Sequence, residues 1–410
     1  MQERQTSYPK SRMHVLFLEG IHHDATAAFK QQGFPVESLQ KSLGEEEIKQ
    51  IIPDVFILGV RSKTQLSAPV FQNARKLLVV GAFCVGTEKI DLGAASGRGV
   101  AVFNDPLSNT RSVAELALAH SVELMRGVPE KNALMHQGIW NKSTKGSREL
   151  RGKTLGIIGY GRIGSQLSVL AESVGMNVVF YNTSEVLPMG NARRMDSMDE
   201  VLEAADVVSV HVSGRPENKN LFSASQFEAM RDGAIFIQLS RGMVVDIKSL
   251  AEYLKTGKLK GAAVDVFKEE PEDNDTPFRT DLQGIPNVIL TPHIGGGTQE
   301  AQEDIARFVS GKLLNFINSG DTTSSVNYPE IRLSSQRESH RFLHLHRDVP
   351  GVLAQLNAIL AESGINIIGQ YQQTRNGLGY VIVDVDKDYN PSVIGKIKKI
   401  SETLRFRVLY

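Results

Sequence analysis

The sequence predicts an α/β protein with two doubly wound parallel-sheet domains and a C-terminal ferredoxin-like βαββαβ domain. Three observations carry this. Short apolar runs alternate with amphipathic stretches over residues 1–100. A second unit opens near Lys153 with a strand, a Gly-rich turn and a helix. The final segment, from about residue 340, has its own strand and helix pattern.

In the first region His14 to Leu18, Val55 to Leu58, Leu77 to Val80 and Val100 to Phe103 each suit a buried strand, with helical patterns between them, as around Glu45 to Ile52. Ala114 to Leu124 reads as a buried helix. Thr154 to Ile158 and Asn177 to Tyr181 read as strands on either side of a helix that ends near Val174. Further strands are expected at Val207 to Val210, Ala234 to Leu239, Ala262 to Val266 and Val288 to Leu290, and an amphipathic helix at Ala301 to Ile317. Ser319 to Ser339 is polar, Ser-rich and aperiodic, and reads as a linker. Beyond it, strands at Arg341 to His346, Ile365 to Gln373, Tyr380 to Val385 and Leu404 to Leu409 enclose helices at Val352 to Leu360 and Ser392 to Ser401.

A chain of 410 residues allows two to four domains. Lys+Arg and Asp+Glu both total 46, so no global charge draws the chain to nucleic acid or anionic membrane, and any anion site is local. The single cysteine, Cys84, excludes an intrachain disulfide, fits a reducing, cytoplasmic setting and reads as a small buried hydrophobe. Met1 to Arg12 lacks the apolar core of a secretory signal, and no 18 apolar residues run together, so no membrane span is expected.

Gly159-Tyr160-Gly161-Arg162-Ile163-Gly164 is G-x-G-x-x-G. It follows a predicted strand and opens a predicted helix, the context that a Rossmann dinucleotide site requires. Gly159 permits the tight turn, Gly161 lets a pyrophosphate approach the backbone, and Gly164 lets helix and strand pack closely. An Asp or Glu at the end of the second strand would bind the ribose 2′-hydroxyl and repel a 2′-phosphate. This chain has Asn182 there. NAD is the expected cofactor, because Thr183-Ser184-Glu185 offers no Arg or Lys to clamp a phosphate.

Three later segments put unusual polar groups at predicted strand ends: Ser240-Arg241-Gly242, Glu269-Glu270-Pro271 and Pro292-His293-Ile294-Gly295-Gly296. In open α/β sheets chemistry sits outside the carboxyl ends of the strands. Oxidation of a 2-hydroxy acid needs a base for the hydroxyl proton, a carboxylate to support the resulting imidazolium, and a guanidinium for the substrate carboxylate and C2 oxygen. Taken singly, such residues are more often a structural His, a solvated turn and a loop cation. Their joint appearance downstream of one nucleotide fold gives the reading its force. No metal ion is called for.

In order and spacing these segments, with Asp265-Val266-Phe267-Lys268-Glu269-Glu270-Pro271, resemble the D-2-hydroxyacid dehydrogenase family over nearly the whole chain. The resemblance implies Arg241, Glu270 and His293 as catalytic residues. It implies a cofactor held by Gly159, Gly161, Arg162, Ile163, Gly164, Asn182, His211, Ser240, Asp265 and His293. It also implies an NAD-binding domain, 110–296, inserted into a substrate-binding domain made of 1–109 and 297–330, with a linker at 331–339 and a regulatory domain at 340–410.

Gly59-Val60-Arg61-Ser62-Lys63-Thr64, Phe83-Cys84-Val85-Gly86-Thr87, Ser108 to Glu115, Trp140-Asn141-Lys142 and Thr298 to Gln302 resemble the branch of that family that acts on 3-phospho-D-glycerate. Arg61, Ser62, Asn109, Arg111, Lys142 and Gln302 would then hold substrate, Lys142 reaching in from a partner subunit. The plainer reading of Arg61 and Arg111 is structural ion pairing. The C-terminal segment resembles an ACT domain, which implies an L-serine effector site at His346, Asp348 and Asn366 between paired copies, and a homotetramer. Asp348 stands where Asn is usual; its carboxylate would accept from an ammonium and repel serine's carboxylate. A plain oligomerisation module is the alternative. Two other functions remain open: a hydroxypyruvate, glyoxylate or 2-oxoglutarate reductase of the same family, and an NAD-sensing corepressor.

Overall fold

The computed structural model describes residues 9–271, 275–333, 339–387 and 389–410, so the reading of the extreme N-terminus falls largely outside the described residues. Two compact units divide the chain, Met1–Ser108 with Gln302–Tyr410, and Asn109–Ala301.

In the first unit β1 (Val15–Phe17), β2 (Val36–Ser38), β3 (Ile57–Val60), β4 (Val79–Ala82) and β5 (Ala101–Asn104) form a parallel sheet in the order β2-β1-β3-β4-β5. β1, β3 and β4 are buried along their length, which is why they read as unbroken apolar runs rather than as alternation. Cys84 is half-buried; its Sγ lies 3.1 Å from the Gly86 carbonyl, so it is less enclosed than its apolar neighbours suggest.

The C-terminal part of this unit holds β13 (His340–Arg347), β14 (Ile367–Arg375), β15 (Leu378–Val385) and β16 (Thr403–Leu409) in an antiparallel sheet ordered β14-β15-β13-β16. Helices Val352–Glu362 and Ser392–Lys398 cover one face through Leu356, Leu360, Val393 and Ile397. The other face, through Leu343, Leu345, Tyr380 and Ile382, joins the core built on Phe103, Phe316 and Tyr328.

The stretch read as a linker from Ser319 departs from that reading. Asn327 Oδ1 accepts from Val102 N at 2.8 Å, Val326 N donates to Val102 O at 2.8 Å, and Thr322 and Tyr328 are buried. These residues cover the exposed edge of β5, so their polar side chains serve a strand rather than solvent. Ile331 N donates to Thr322 Oγ1 at 2.8 Å, which extends the packed segment into the expected linker; residues 334–338 lie outside the described residues.

The second unit is a parallel sheet of β6 (Thr154–Ile158), β7 (Asn177–Tyr181), β8 (Arg193–Arg194), β9 (Val207–Val210), β10 (Ala234–Gln238), β11 (Leu259–Val264) and β12 (Val288–Leu290), ordered β12-β11-β10-β9-β6-β7-β8. The chain leaves β6 in one direction to β7 and later returns to its other side at β9. The strand order therefore reverses beside β6, where ligands of such sheets bind. Helices Thr110–Arg126 and Arg162–Ser173 pack on one face around Leu155, Ile157 and Ile235.

Candidate active site

The Gly-rich turn lies at this reversal point. Gly159 has φ +95°, and a Cβ there would lie 2.6 Å from the His211 carbonyl oxygen. A Cβ on Gly164 would meet the Gly159 carbonyl oxygen at 2.4 Å, so this glycine sets how closely helix Arg162–Ser173 approaches β6. Gly161 differs: a Cβ would meet nothing within 4 Å. Gly161 caps the helix without a side-chain bond, so no cap side chain covers the first turn on that side. The turn thus offers backbone donors and room, which is what a dinucleotide pyrophosphate requires. Arg162 and Ile163 form the first turn itself.

At the end of β7, Asn182 Oδ1 accepts from Tyr160 N at 3.0 Å, while its Nδ2 donates to Ser184 O at 3.0 Å. Asn182 therefore braces the glycine turn. Arg194 on the short edge strand β8 lies alongside, its Nη2 3.4 Å from the Asn182 carbonyl oxygen. Sequence reasoning missed this cation because it looked only at the residues next to Asn182. His211, after β9, bonds Ser209 Oγ through Nε2 at 2.8 Å, and burial pushes its pKa down to about 4. Its Nδ1 is buried without a protein partner.

The carboxyl ends of β10, β11 and β12 bring the three dispersed segments together. His293 Nδ1 lies 2.8 Å from Glu270 Oε2, and Glu270 Oε1 accepts from Phe267 N at 3.0 Å. Burial pushes the Glu270 carboxyl up, but the bonds from His293 and Phe267 and the nearby Arg241 charge outweigh it and hold it below its ordinary value. The Glu270 bond raises His293 above its ordinary value, against burial and the Arg241 charge. Arg241 is thus close enough to act on both partners. Its loop is built by Ser240 and Gly242 of the predicted segment and by Gln238, which sequence reasoning did not single out. Buried Gln238 donates from Nε2 to Arg241 O at 2.8 Å and accepts from Ser240 Oγ at 2.8 Å. A Cβ on Gly242 would lie 2.0 Å from the Phe267 carbonyl carbon, so only glycine lets the arginine loop meet the glutamate loop.

Asp265 sets the histidine loop. Its carboxylate accepts from Thr291 Oγ1 at 2.6 Å, Ile294 N at 2.8 Å and Gly295 N at 2.8 Å, while its carbonyl accepts from His293 N at 2.8 Å. With all of these in place His293 adopts φ +55°, an uncommon backbone state that persists only where its surroundings over-determine it. The carboxylate of Asp265 is committed to the loop, so its contribution runs through His293.

The expected substrate residues are more scattered. Asn109 sits against Gly296, whose Cβ would lie 2.4 Å from Asn109 Nδ2, and so borders the end of the histidine loop. Arg111 makes an exposed ion pair with Glu115 at 2.6 Å, the structural role weighed for it. Lys142 is exposed outside regular structure. Arg61, Ser62 and Gln302 belong to the other compact unit. There Arg61 follows β3 and its Nη1 reaches the Glu19 carbonyl oxygen at 3.4 Å. Buried Glu19, which sequence reasoning missed, accepts from Lys63 N at 2.9 Å and Thr64 N at 2.8 Å and shapes this loop. In the C-terminal sheet His346 is buried with Nε2 unpartnered, while Asp348 and Asn366 are exposed. A Cβ on Gly379 would strike the His346 ring.

Residues 118–295 match the NAD binding domain of D-isomer specific 2-hydroxyacid dehydrogenases, and residues 342–405 match an AHAS small subunit-like ACT domain. The chain is 48% identical to a D-3-phosphoglycerate dehydrogenase of Haemophilus influenzae, covering 99% of each chain. It is 46% identical to one from Escherichia coli, over 99% of this chain and 100% of the relative. The chain belongs to the D-3-phosphoglycerate dehydrogenase family. Its fold is also that of a D-lactate dehydrogenase with NAD+ from Lactobacillus jensenii (TM-score 0.67, 25% identity), over 77% of this chain and 100% of the other. As a member of the phosphoglycerate dehydrogenase family it is an NAD-dependent dehydrogenase, and the open cradle at Gly161 fits that cofactor. Among the described residues no helix is long and apolar enough to cross a membrane.

Proposed function

We propose that the chain oxidises 3-phospho-D-glycerate to 3-phosphohydroxypyruvate, the first step of the phosphorylated route to L-serine, in the cytoplasm. The observation that carries this reading is the 2.8 Å pair between His293 and Glu270 with the Arg241 loop beside it. NAD, when bound, supplies the hydride acceptor. His293 takes the hydroxyl proton through Nε2, the ring nitrogen that Glu270 leaves unengaged. Glu270 supports the imidazolium so formed. Arg241 holds the substrate carboxylate and C2 oxygen by paired N–H donors. Asp265, Gln238 and Gly242 position these groups. Gly159, Gly161, Arg162, Ile163, Gly164, Asn182, His211 and Ser240 shape the nucleotide side.

Residues 1–109 with 297–330 form the substrate domain in this reading. Arg61, Ser62, Asn109 and Gln302 receive the phosphorylated acid there, with Lys142 from a partner subunit, while Arg111 of the nucleotide domain keeps its ion pair with Glu115. The 340–410 domain pairs with a second copy, for which the exposed edge strand β14 is suited, and binds L-serine at His346, Asp348 and Asn366 within a homotetramer.

The test is steady-state turnover of His293→Ala. It should fall by ~10²-fold or more while NADH binding, read by fluorescence, stays near normal. Near-normal turnover removes His293 from this role. Comparing 3-phosphoglycerate with unphosphorylated 2-hydroxy acids in Arg61→Ala tests the substrate: only the phosphorylated acid should suffer.

A further inference from the structure

We propose that the adenosine end of the nucleotide site accepts a ribose 2′-phosphate, with Arg194 as its guanidinium, so that the enzyme takes phosphorylated as well as plain nicotinamide dinucleotides. The group at the end of the second strand of this fold meets the ribose 2′-hydroxyl, and an acid there excludes a 2′-phosphate by repulsion. Asn182 carries no charge, and its side chain is engaged by Tyr160 N and by Ser184 O and Oγ. It therefore raises no electrostatic barrier.

What supplies attraction is the edge strand β8. It pairs parallel to β7, with Val179 opposite Arg193 and Phe180 opposite Arg194. Arg194 Nη2 lies 3.4 Å from the Asn182 carbonyl oxygen, so the guanidinium extends past its own strand to the residue that borders the ribose. Both arginines are exposed, and among the described residues no carboxylate pairs with either. Glu185, Asp196 and Glu172 are the acids of the surrounding segments; Glu172 is engaged by Asn191 N at 3.1 Å. A cation poised at the ribose with an uncharged neighbour is the arrangement that accommodates a 2′-phosphate. Neighbouring side chains on a strand point to opposite faces, so Arg193 serves as a built-in control for general positive charge.

The inference does not depend on which acid is oxidised, and the test needs no acid substrate, so its failure leaves the reading of the catalytic residues untouched. The full-length protein is titrated calorimetrically with 2′,5′-ADP and with 5′-AMP. The two should bind with similar affinity. The ratio of their dissociation constants should rise about tenfold in Arg194→Gln and in Asn182→Asp, the scale of one charge-assisted hydrogen bond, and stay within about twofold in Arg193→Gln. A native protein that binds 2′,5′-ADP more than about tenfold weaker than 5′-AMP overturns the proposal, and so does an equal response of Arg193→Gln and Arg194→Gln.

Discussion

Glu270 engages His293 through Nδ1 at 2.8 Å, and in the proposed mechanism that single bond sets which ring nitrogen takes the proton and at what pH. The bond is the largest cause raising His293 above its ordinary value. A base must be neutral to accept a proton, so kcat/KM for oxidation should climb as pH rises through this raised value. Glu270→Gln removes the carboxylate and should move the inflection to lower pH while cutting kcat by about 10²-fold. A pH–rate profile of both proteins decides it; an unmoved inflection would detach Glu270 from the ionisation of His293. For folding the sign runs the other way: a raised histidine adds stability below its unfolded value, and loses it as pH rises through the folded one.

Gly242 is the point at which the arginine and glutamate loops touch, and no side chain fits there. Gly242→Ala would drive Cβ into the Phe267 backbone, leaving one loop to retreat. Displacement of Arg241 by about 1 Å is enough to cost roughly 10²-fold in turnover. We expect kcat to fall on that scale with far-UV circular dichroism unchanged. Unimpaired turnover in the alanine variant would show that the loops have room.

The sequence made β6, β7 and β9 legible because buried strands announce themselves as apolar runs between turn residues. The three polar segments were legible because each follows such a run. Gln238 and Glu19 were not, since a buried side chain that bonds backbone carries no periodic signal. Arg194 was hidden for a different reason: a two-residue edge strand has no pattern, and its partner Phe180 is found only through register. Ser325 and Asn327 looked like linker because they are polar, yet they bond the backbone of β5.

His344 provides an acid-sensitive element in the C-terminal sheet. It is fully buried, bonded to Thr403 Oγ1 at 2.8 Å, and burial, with His346 nearby, pushes it down to about 4. The unfolded chain binds a proton near pH 6.5 that the folded chain refuses until about pH 4. Stability from this group is therefore complete above that upper value and is lost as pH falls through the window. By pH 4.5 the loss should reach about 2–3 kcal/mol. His344→Gln should flatten that part of the curve. Urea unfolding of both proteins at several pH values checks it, and parallel curves would assign the acid limb to other groups.

Arg341 and Asp384 form a buried two-pronged pair across β13 and β15, with Nε to Oδ1 at 2.7 Å and Nη2 to Oδ2 at 2.9 Å. Arg341 Nη1 also donates to Ser319 O at 2.9 Å, and Arg407 Nη2 to Ile317 O at 2.9 Å. Two guanidiniums thus serve the last carbonyls of helix Gln299–Ser319, whose dipole favours cations at that end. Asp384→Ala leaves one of them buried without its carboxylate and should cost roughly 3–5 kcal/mol. Replacing the pair by apolar residues, Arg341→Met with Asp384→Leu, removes both desolvation penalties but strands the Ser319 carbonyl. That double variant should be less destabilised than Asp384→Ala alone, by at least ~1 kcal/mol. Denaturant midpoints of the full-length variants rank the three proteins. If the double variant proved the weaker, the pair's attraction would exceed what its burial costs, and the helix end would depend on the charge itself.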